Sequence, residues 1–205
     1  MRIVGGDLSG AALVSPKGSS TRPTSDRVRE AVFNVLMHGK FGPGLAGARV
    51  MDLFAGTGSL GLEALSRGAA SCLFVENDAG ARGVLQRNIE ALDVHGRAKV
   101  FRRDATLLGP AGNKGAMAFV FLDPPYGRGL GERGLEALSD GDWLNADAIT
   151  ILEERSCIDI SWPQGFNPLD VRSYGDTSVH FARFEPHAPT MEKSTGSETR
   201  GGRRE

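Results

Sequence analysis

The sequence predicts an α/β fold: a doubly wound sheet, mostly parallel, closed by a C-terminal antiparallel hairpin and preceded by a small N-terminal hairpin and helix. Three observations predict it. Short, near-continuous apolar runs rich in β-branched and aromatic residues recur at 49–54, 71–76, 98–102, 117–122 and 148–152. Runs without in-and-out alternation belong to strands covered on both faces, the condition of a parallel sheet. Helical patterns or turn chemistry stand between them, and right-handed crossovers then wind the sheet on both sides. Two later runs, 169–173 and 179–185, flank Tyr174-Gly-Asp-Thr177, the signature of a tight hairpin.

Taken in order, residues 2–5 and 11–14 read as a short hairpin around Gly5-Gly6 and Ser9-Gly10. A helix is expected over 24–38, with Val28, Ala31, Val32, Val35 and Leu36 on one stripe. Thr24 or Ser25 supplies its N-cap, Asp26 suits its first turn, Pro23 blocks helix upstream and Gly39 ends it. The 58–67 stretch places Leu60, Ala64 and Leu65 on one face and stops at Gly68. In 78–92, Ala81, Leu85, Asn88, Ile89 and Leu92 repeat at the helical period. Beyond Pro189 the chain is Ser, Thr, Gly and charge, and disorder is expected. The expected organisation is a hairpin and helix over 1–40, a main α/β domain over 41–188 and a tail over 189–205.

Composition narrows the function classes. With 205 residues, 40% apolar and 24% charged, the chain has globular character and room for one medium domain. No run of about 18 uncharged apolar residues and no secretory h-region is present, so no membrane partner is expected. Cys72 and Cys157 form neither a disulfide framework nor a metal-ligand spacing; a reducing cytoplasm is expected, and no metal. Glycine is in excess, 28 residues without period, which signals loops and turns. A net charge of −1 excludes a histone-like polycation, yet residues 1–40 carry six Lys/Arg against three Asp/Glu, a lean toward an anionic partner.

Two constellations carry chemistry. In Val50-Met-Asp-Leu-Phe-Ala-Gly56-Thr-Gly58-Ser-Leu-Gly61 a strand runs into glycines and then a helix, with Glu76 twenty residues after Gly56. The pattern fits a nucleoside-cofactor loop: glycines admit close backbone approach, the helix start offers N–H groups, and Glu76 accepts from ribose hydroxyls. The glycines alone do not say which cofactor. Further on, Ala118-Phe-Val-Phe-Leu-Asp123-Pro-Pro-Tyr126 is a buried strand ending in a stiff loop. The carboxyl ends of parallel strands form the ligand crevice, so Asp123 should face Gly56 and Gly58. An exocyclic amine of a nucleobase is a poor nucleophile because its lone pair is delocalised into the ring. A carboxylate such as that of Asp123 and a backbone carbonyl of the loop, accepting from its two N–H bonds, would draw the nitrogen toward sp³. The flat face of Tyr126 would stack on the base.

Asp52-Leu-Phe-Ala-Gly-Thr-Gly58 together with Asp-Pro-Pro-Tyr126 resembles the class I S-adenosylmethionine-dependent methyltransferases, whose Rossmann-like sheet is the fold expected here. Arg22-Pro-Thr-Ser-Asp-Arg-Val-Arg-Glu-Ala-Val-Phe-Asn34, Gly61-Leu-Glu-Ala-Leu-Ser-Arg-Gly-Ala69, Phe74-Val-Glu-Asn-Asp78 and Arg172-Ser-Tyr-Gly-Asp-Thr177 are similar to the RsmD family of bacterial 16S rRNA guanine-N2 methyltransferases. The resemblance implies S-adenosyl-L-methionine as cofactor and 16S rRNA, in the small ribosomal subunit or its assembly intermediate, as partner; no coiled-coil or strongly apolar helix pattern points beyond a monomer. It further implies that Gly56 and Gly58 pass the methionine part of the cofactor and that Asp52 helps position its ammonium. Glu76 takes the ribose, Asp104 lies by the adenine edge, and Thr24 belongs to a lid. Asp123, Pro124 and Tyr126 handle the base. For Asp104 a helix N-cap is the rival reading. The family's hairpin usually carries basic residues, whereas Ile3 to Pro16 holds no Lys or Arg. Arg2, Lys17, Arg22, Arg27 and Arg29, with Arg128 and Arg133, are then the phosphate-contact candidates; a solvated helix face is the rival for Arg27 and Arg29. Competing functions are an adenine-N6 methyltransferase on DNA or RNA, an NAD-dependent oxidoreductase and a non-catalytic RNA-binding module.

Overall fold

The computed structural model describes residues 1–15, 26–38, 40–42 and 44–186. Lys17, Arg22, Pro23, Thr24, Gly39, His187 and the tail beyond Pro189 therefore lie outside the described residues. Among those described, seven strands form one sheet in the order β3-β2-β1-β4-β5-β7-β6. The strands are β1 (Arg49–Leu53), β2 (Ser71–Val75), β3 (Ala98–Phe101), β4 (Met117–Leu122), β5 (Leu144–Arg155), β6 (Phe166–Tyr174) and β7 (Thr177–Phe184). β1 to β5 pair in parallel, and β7 inserts antiparallel between β5 and β6. The helices are α1 (Asp26–Met37), α2 (Ser59–Ser66), α3 (Ala79–Ala91) and α4 (Leu130–Asp140).

The apolar runs form strands because both sheet faces are covered. On one face Val50, Phe119, Phe121, Ile151 and Phe181 pack under Phe33 of α1, Leu62 of α2 and Leu85 of α3. On the other, Leu53, Leu73, Val120, Leu122 and Leu152 pack with Leu135 and Leu138 of α4 and with Trp143. The expected 148–152 strand is longer, Leu144–Arg155, with a register shift where it meets β4 between Met117 and Phe119. β6 runs through Pro168, which the ladder tolerates because β6 is an edge strand and its register shifts between Pro168 and Asp170. The two-residue turn from Tyr174 to Thr177 puts Gly175 at a φ of 65°, where glycine carries no steric cost.

α4 is an element the periodicity reading passed over. Gly131 and Gly134 depress its helix propensity. Both are packing glycines: a Cβ at Gly131 would sit 2.6 Å from a Leu152 methyl, and at Gly134 3.2 Å from a Leu122 methyl. α4 therefore lies close on β4 and β5, directly behind the loop that follows β4.

The N-terminal hairpin is reduced to a single bridge between Arg2 and Ala12, yet Ile3 and Leu13 are buried in the same apolar cluster as α1, α2 and the sheet. A buried ionic joint holds it there. The Arg29 guanidinium, fully buried, donates to the Arg2 carbonyl and to Asp26 Oδ1 at 2.9 Å, with Nε 3.5 Å from Glu63 Oε2. Glu63, also fully buried, accepts from the Val4 N–H at 2.8 Å and pairs with Arg67 at 2.7 Å. This corrects the expectation for Arg29. It neither meets RNA phosphate nor lies on a solvated face, because its charge is consumed inside the fold. Removing one partner leaves an uncompensated buried charge, so Glu63→Ala should cost about 3–5 kcal/mol in equilibrium urea unfolding. A loss well under about 1 kcal/mol, typical of a surface pair, would contradict the joint.

Candidate active site

The winding direction of the sheet reverses between β1 and β4, and in open parallel sheets the carboxyl edge at such a reversal is where ligands bind. There Leu53 is the Cα partner of Leu122, so Phe54 and Asp123 leave the sheet side by side. The glycine-rich segment and the Asp-Pro-Pro-Tyr segment thus open onto one mouth. Phe54 turns out of β1 at a φ of 62°, in the left-handed region unusual for a bulky residue.

Each glycine of the first loop has its own task. Gly56, φ 55°, has open space where a Cβ would stand, its nearest neighbour being the Phe54 carbonyl at 3.9 Å. Gly58, φ 82°, caps α2, and a Cβ there would lie 2.3 Å from a Leu85 methyl. Gly61 lets α2 settle on β2, since a Cβ would stand 2.3 Å from the Phe74 ring and 2.6 Å from Cys72 Sγ. Glu76, half-buried after β2, reaches back so that Oε2 accepts from the Gly56 N–H at 2.8 Å, while Oε1 accepts from Asp78 N–H at 2.8 Å. A carboxylate and a glycine loop expected to share one ligand are thus in direct contact.

Asp52 is placed differently from a ligand-facing acid. Its buried carboxyl, on β1 beneath α2, accepts from the Gly61 N–H at 2.8 Å and so caps α2 from within the sheet. Burial pushes its pKa up to about 8, against the Gly61 hydrogen bond and helped by the Glu76 charge. Burial also holds the neighbouring Cys72 thiol protonated. Asn88 of α3, fully buried, is a support that the stripe reading treated as one more core position. Its amide donates to the Thr57 carbonyl at 2.9 Å and to the Val14 carbonyl at 3.2 Å, and accepts from Val14 N–H at 2.7 Å. One side chain thereby joins the glycine loop to the segment that follows the N-terminal hairpin.

Asp104 follows β3. Its Oδ1 accepts from the Thr106 N–H and hydroxyl, both at 2.8 Å, which hold the carboxyl below its ordinary pKa, with Arg133 adding to the effect. The rival helix-cap reading is half right: Asp104 caps a turn, and no helix follows. Arg133 of α4 is exposed and donates to Thr106 Oγ1 at 3.3 Å, at the edge of the same mouth.

In the second loop Pro124 is buried, Pro125 exposed, and Asp123 and Tyr126 half-buried. Consecutive residues at the end of β5 grip it from opposite faces of the strand. The Tyr126 hydroxyl donates to Glu153, and the Gly127 N–H is shared by both Glu154 oxygens at 3.1 Å. Both glutamates are buried, 6% and 2% exposed. Sequence reasoning missed them, because Leu152-Glu-Glu-Arg155 reads as a strand leaving for solvent. Burial, with the charges of Asp123 and Glu153, raises the Tyr126 pKa and keeps its phenol protonated. His180, expected at a surface or in a loop, sits instead in β7 opposite Leu152, with Nε2 buried and its pKa lowered by burial.

Of the cationic candidates within the described residues, Arg2, Arg27 and Arg128 are exposed, and Arg128 stands in the turn following Tyr126. No group of three or more His, Cys, Asp or Glu among these residues could hold a metal ion, and no helix is long and apolar enough to cross a membrane. The arrangement brings the glycine loop after β1 beside the loop that carries Asp123, Pro124 and Tyr126.

The chain matches the family described as Conserved hypothetical protein 95 over residues 1–183. It is 40% identical over 154 residues to ribosomal RNA small subunit methyltransferase D of Escherichia coli K12, covering 75% of this chain and 74% of that protein. The Haemophilus influenzae protein of the same name is 32% identical over 180 residues, covering 87% and 91%. Among solved structures, an Escherichia coli protein described as a methyltransferase, yhhF, is similar with a TM-score of 0.77 at 32% identity, covering 90% of this chain and 98% of that one.

The buried Asp52 carboxyl has a consequence for stability. A folded pKa of about 8, against an ordinary 3.8, means the fold holds a proton that the unfolded chain releases. Its contribution is complete below about pH 4 and is lost as pH rises toward about 8. Asp52→Asn keeps an acceptor for Gly61 without the proton. The stability of the variant relative to wild type, followed by urea midpoints, should rise across that window and level off above it. Parallel curves would contradict a protonated Asp52.

Proposed function

We infer, from the fact that the chain belongs to the ribosomal RNA small subunit methyltransferase D (RsmD) family, that it transfers a methyl group from S-adenosylmethionine to the rRNA of the small ribosomal subunit. The observation that carries the reading is the opposition of Leu53 and Leu122, which aligns the glycine loop and Asp123 at one mouth. Relatives named for rRNA methylation leave the oxidoreductase and DNA-adenine readings without support. The finer reading is the exocyclic N2 of a guanine in 16S rRNA, acted on by a monomer in the cytoplasm, in the small subunit or an assembly intermediate.

The residues present fit the cofactor. Gly56 leaves backbone open to a ligand at a positive φ, and Glu76, 2.8 Å from its amide, offers a half-exposed carboxylate to vicinal hydroxyls. Asp104, held ionised by Thr106, is an acceptor for an adenine amine. Asp52 acts one step behind, through the Gly61 amide and the start of α2. When bound, S-adenosylmethionine supplies a methyl already activated by its sulfonium.

The chain's own groups then prepare the acceptor. The Asp123 carboxylate and the Pro124 carbonyl accept from the two N–H bonds of the amine, which localises the nitrogen lone pair, and Tyr126 stacks on the base. An amine inside folded RNA reaches such a mouth only from a splayed or flipped nucleotide, so loop bases are the accessible targets. Arg2, Arg27 and Arg128 are available to phosphates, and an exposed charge adds affinity that falls with salt. Between Ile3 and Pro16 the sequence holds no Lys or Arg, so Arg2 is the cationic side chain that the hairpin offers.

Asp123→Ala should lower methyl transfer to small-subunit particles by about 10²–10³-fold, with S-adenosylmethionine affinity by calorimetry nearly unchanged. Mass spectrometry of 16S rRNA from a strain lacking the gene should show one lost N2-methylguanine. Normal transfer by the variant, or tight binding of NAD in place of S-adenosylmethionine, overturns the reading.

A further inference from the structure

A stacking platform needs a ring face and nothing more, and a phenylalanine presents the same face as a tyrosine. The Tyr126 hydroxyl is nevertheless engaged. It donates to Oε1 of Glu153, a carboxylate only 6% exposed. Glu153 is near the end of β5, opposite Val179 of β7. The hydroxyl is therefore tied to β5 at the carboxyl edge of the sheet. Holding a carboxylate this deep costs desolvation, which the phenol hydrogen bond offsets in part. The electrostatics keep the clamp in one state, because burial and the charges of Asp123 and Glu153 stop the phenol from ionising. It remains a donor throughout the working range of pH.

We propose that Glu153 is a positioning residue for methyl transfer: through the Tyr126 hydroxyl it sets the plane of the ring on which the acceptor base stacks. This inference rests on the methyltransferase reading above and extends it to a residue that touches neither base nor cofactor. Its physical content is angular. The amine nitrogen must meet the methyl in line with the bond that breaks, and a ring free to rock about its side-chain torsions would carry the base off that line. Misplacement of reacting groups by about 1 Å costs about 10²-fold in rate. The clamp accordingly acts on turnover more than on capture of RNA.

The test is steady-state methylation of small-subunit particles, with KM and kcat separated and S-adenosylmethionine affinity measured by calorimetry. Tyr126→Phe, which keeps the ring, should lower kcat by about tenfold or more with KM for the particle and cofactor affinity little changed. Glu153→Ala should reproduce the Tyr126→Phe loss, Glu153→Gln, which keeps an acceptor oxygen, should recover most of it, and Glu153→Ala with Tyr126→Phe should lose no more than either alone. Should Glu153→Ala fail to fold, Tyr126→Phe and Glu153→Gln decide the matter. An active wild type with Tyr126→Phe at wild-type kcat, or losses that multiply in the double variant, overturns the clamp and leaves the methyltransferase reading standing. A wild type that transfers no methyl to small-subunit rRNA overturns both.

Discussion

The parallel pairing of β1 with β4 is the constraint on which the site depends. The two strands are far apart in sequence, and the chain crosses to β2 and β3 on one side before returning to β4 on the other. At that reversal the connections diverge to opposite sides, the position at which open parallel sheets take their ligands. The one-to-one register from Val50–Phe119 to Leu53–Leu122 then fixes how the two loops emerge. A slip of one residue would turn Asp123 to the opposite face of the sheet and bury it. That register is held by close packing on both sides, with Phe33 against Phe121 at 5.2 Å on one and α4 seated on its glycines on the other.

Around this site the protein uses buried polar groups as struts. Asp52 holds the start of α2, Asn88 holds the Thr57 carbonyl, and Glu153 and Glu154 hold the loop after β4. Glu63 holds the N-terminal hairpin through Arg29 and Val4. In each case the carboxyl or amide meets a backbone group or a polar side chain from a distant segment, so the desolvation cost is offset by a specific partner. The outcome is preorganisation: the groups expected to face ligands sit on loops whose backbone is fixed before any ligand arrives.

The parallel strands, the closing hairpin and the two chemical motifs were legible in the sequence, because apolar runs and glycine or proline punctuation are local signals. The family pattern was legible too. What the sequence hid were residues whose role depends on distant partners. Arg29 reads as a phosphate contact or a solvated helix position, yet the hairpin lies over it and Glu63 faces it. The Glu153-Glu154 pair reads as a strand exit, yet the returning loop covers it. α4 was missed for a different reason: the glycines that let it approach β4 and β5 are the residues that weaken a helical pattern.

The most direct test of the account is a crystal structure with S-adenosylhomocysteine bound. The account predicts the ribose hydroxyls on Glu76, the Gly56 backbone alongside the ligand, and the thioether sulfur facing the side chain of Asp123 and the ring of Tyr126. A ligand seated in another cleft, or one whose sulfur points away from Asp123 across the opposite rim, would contradict it.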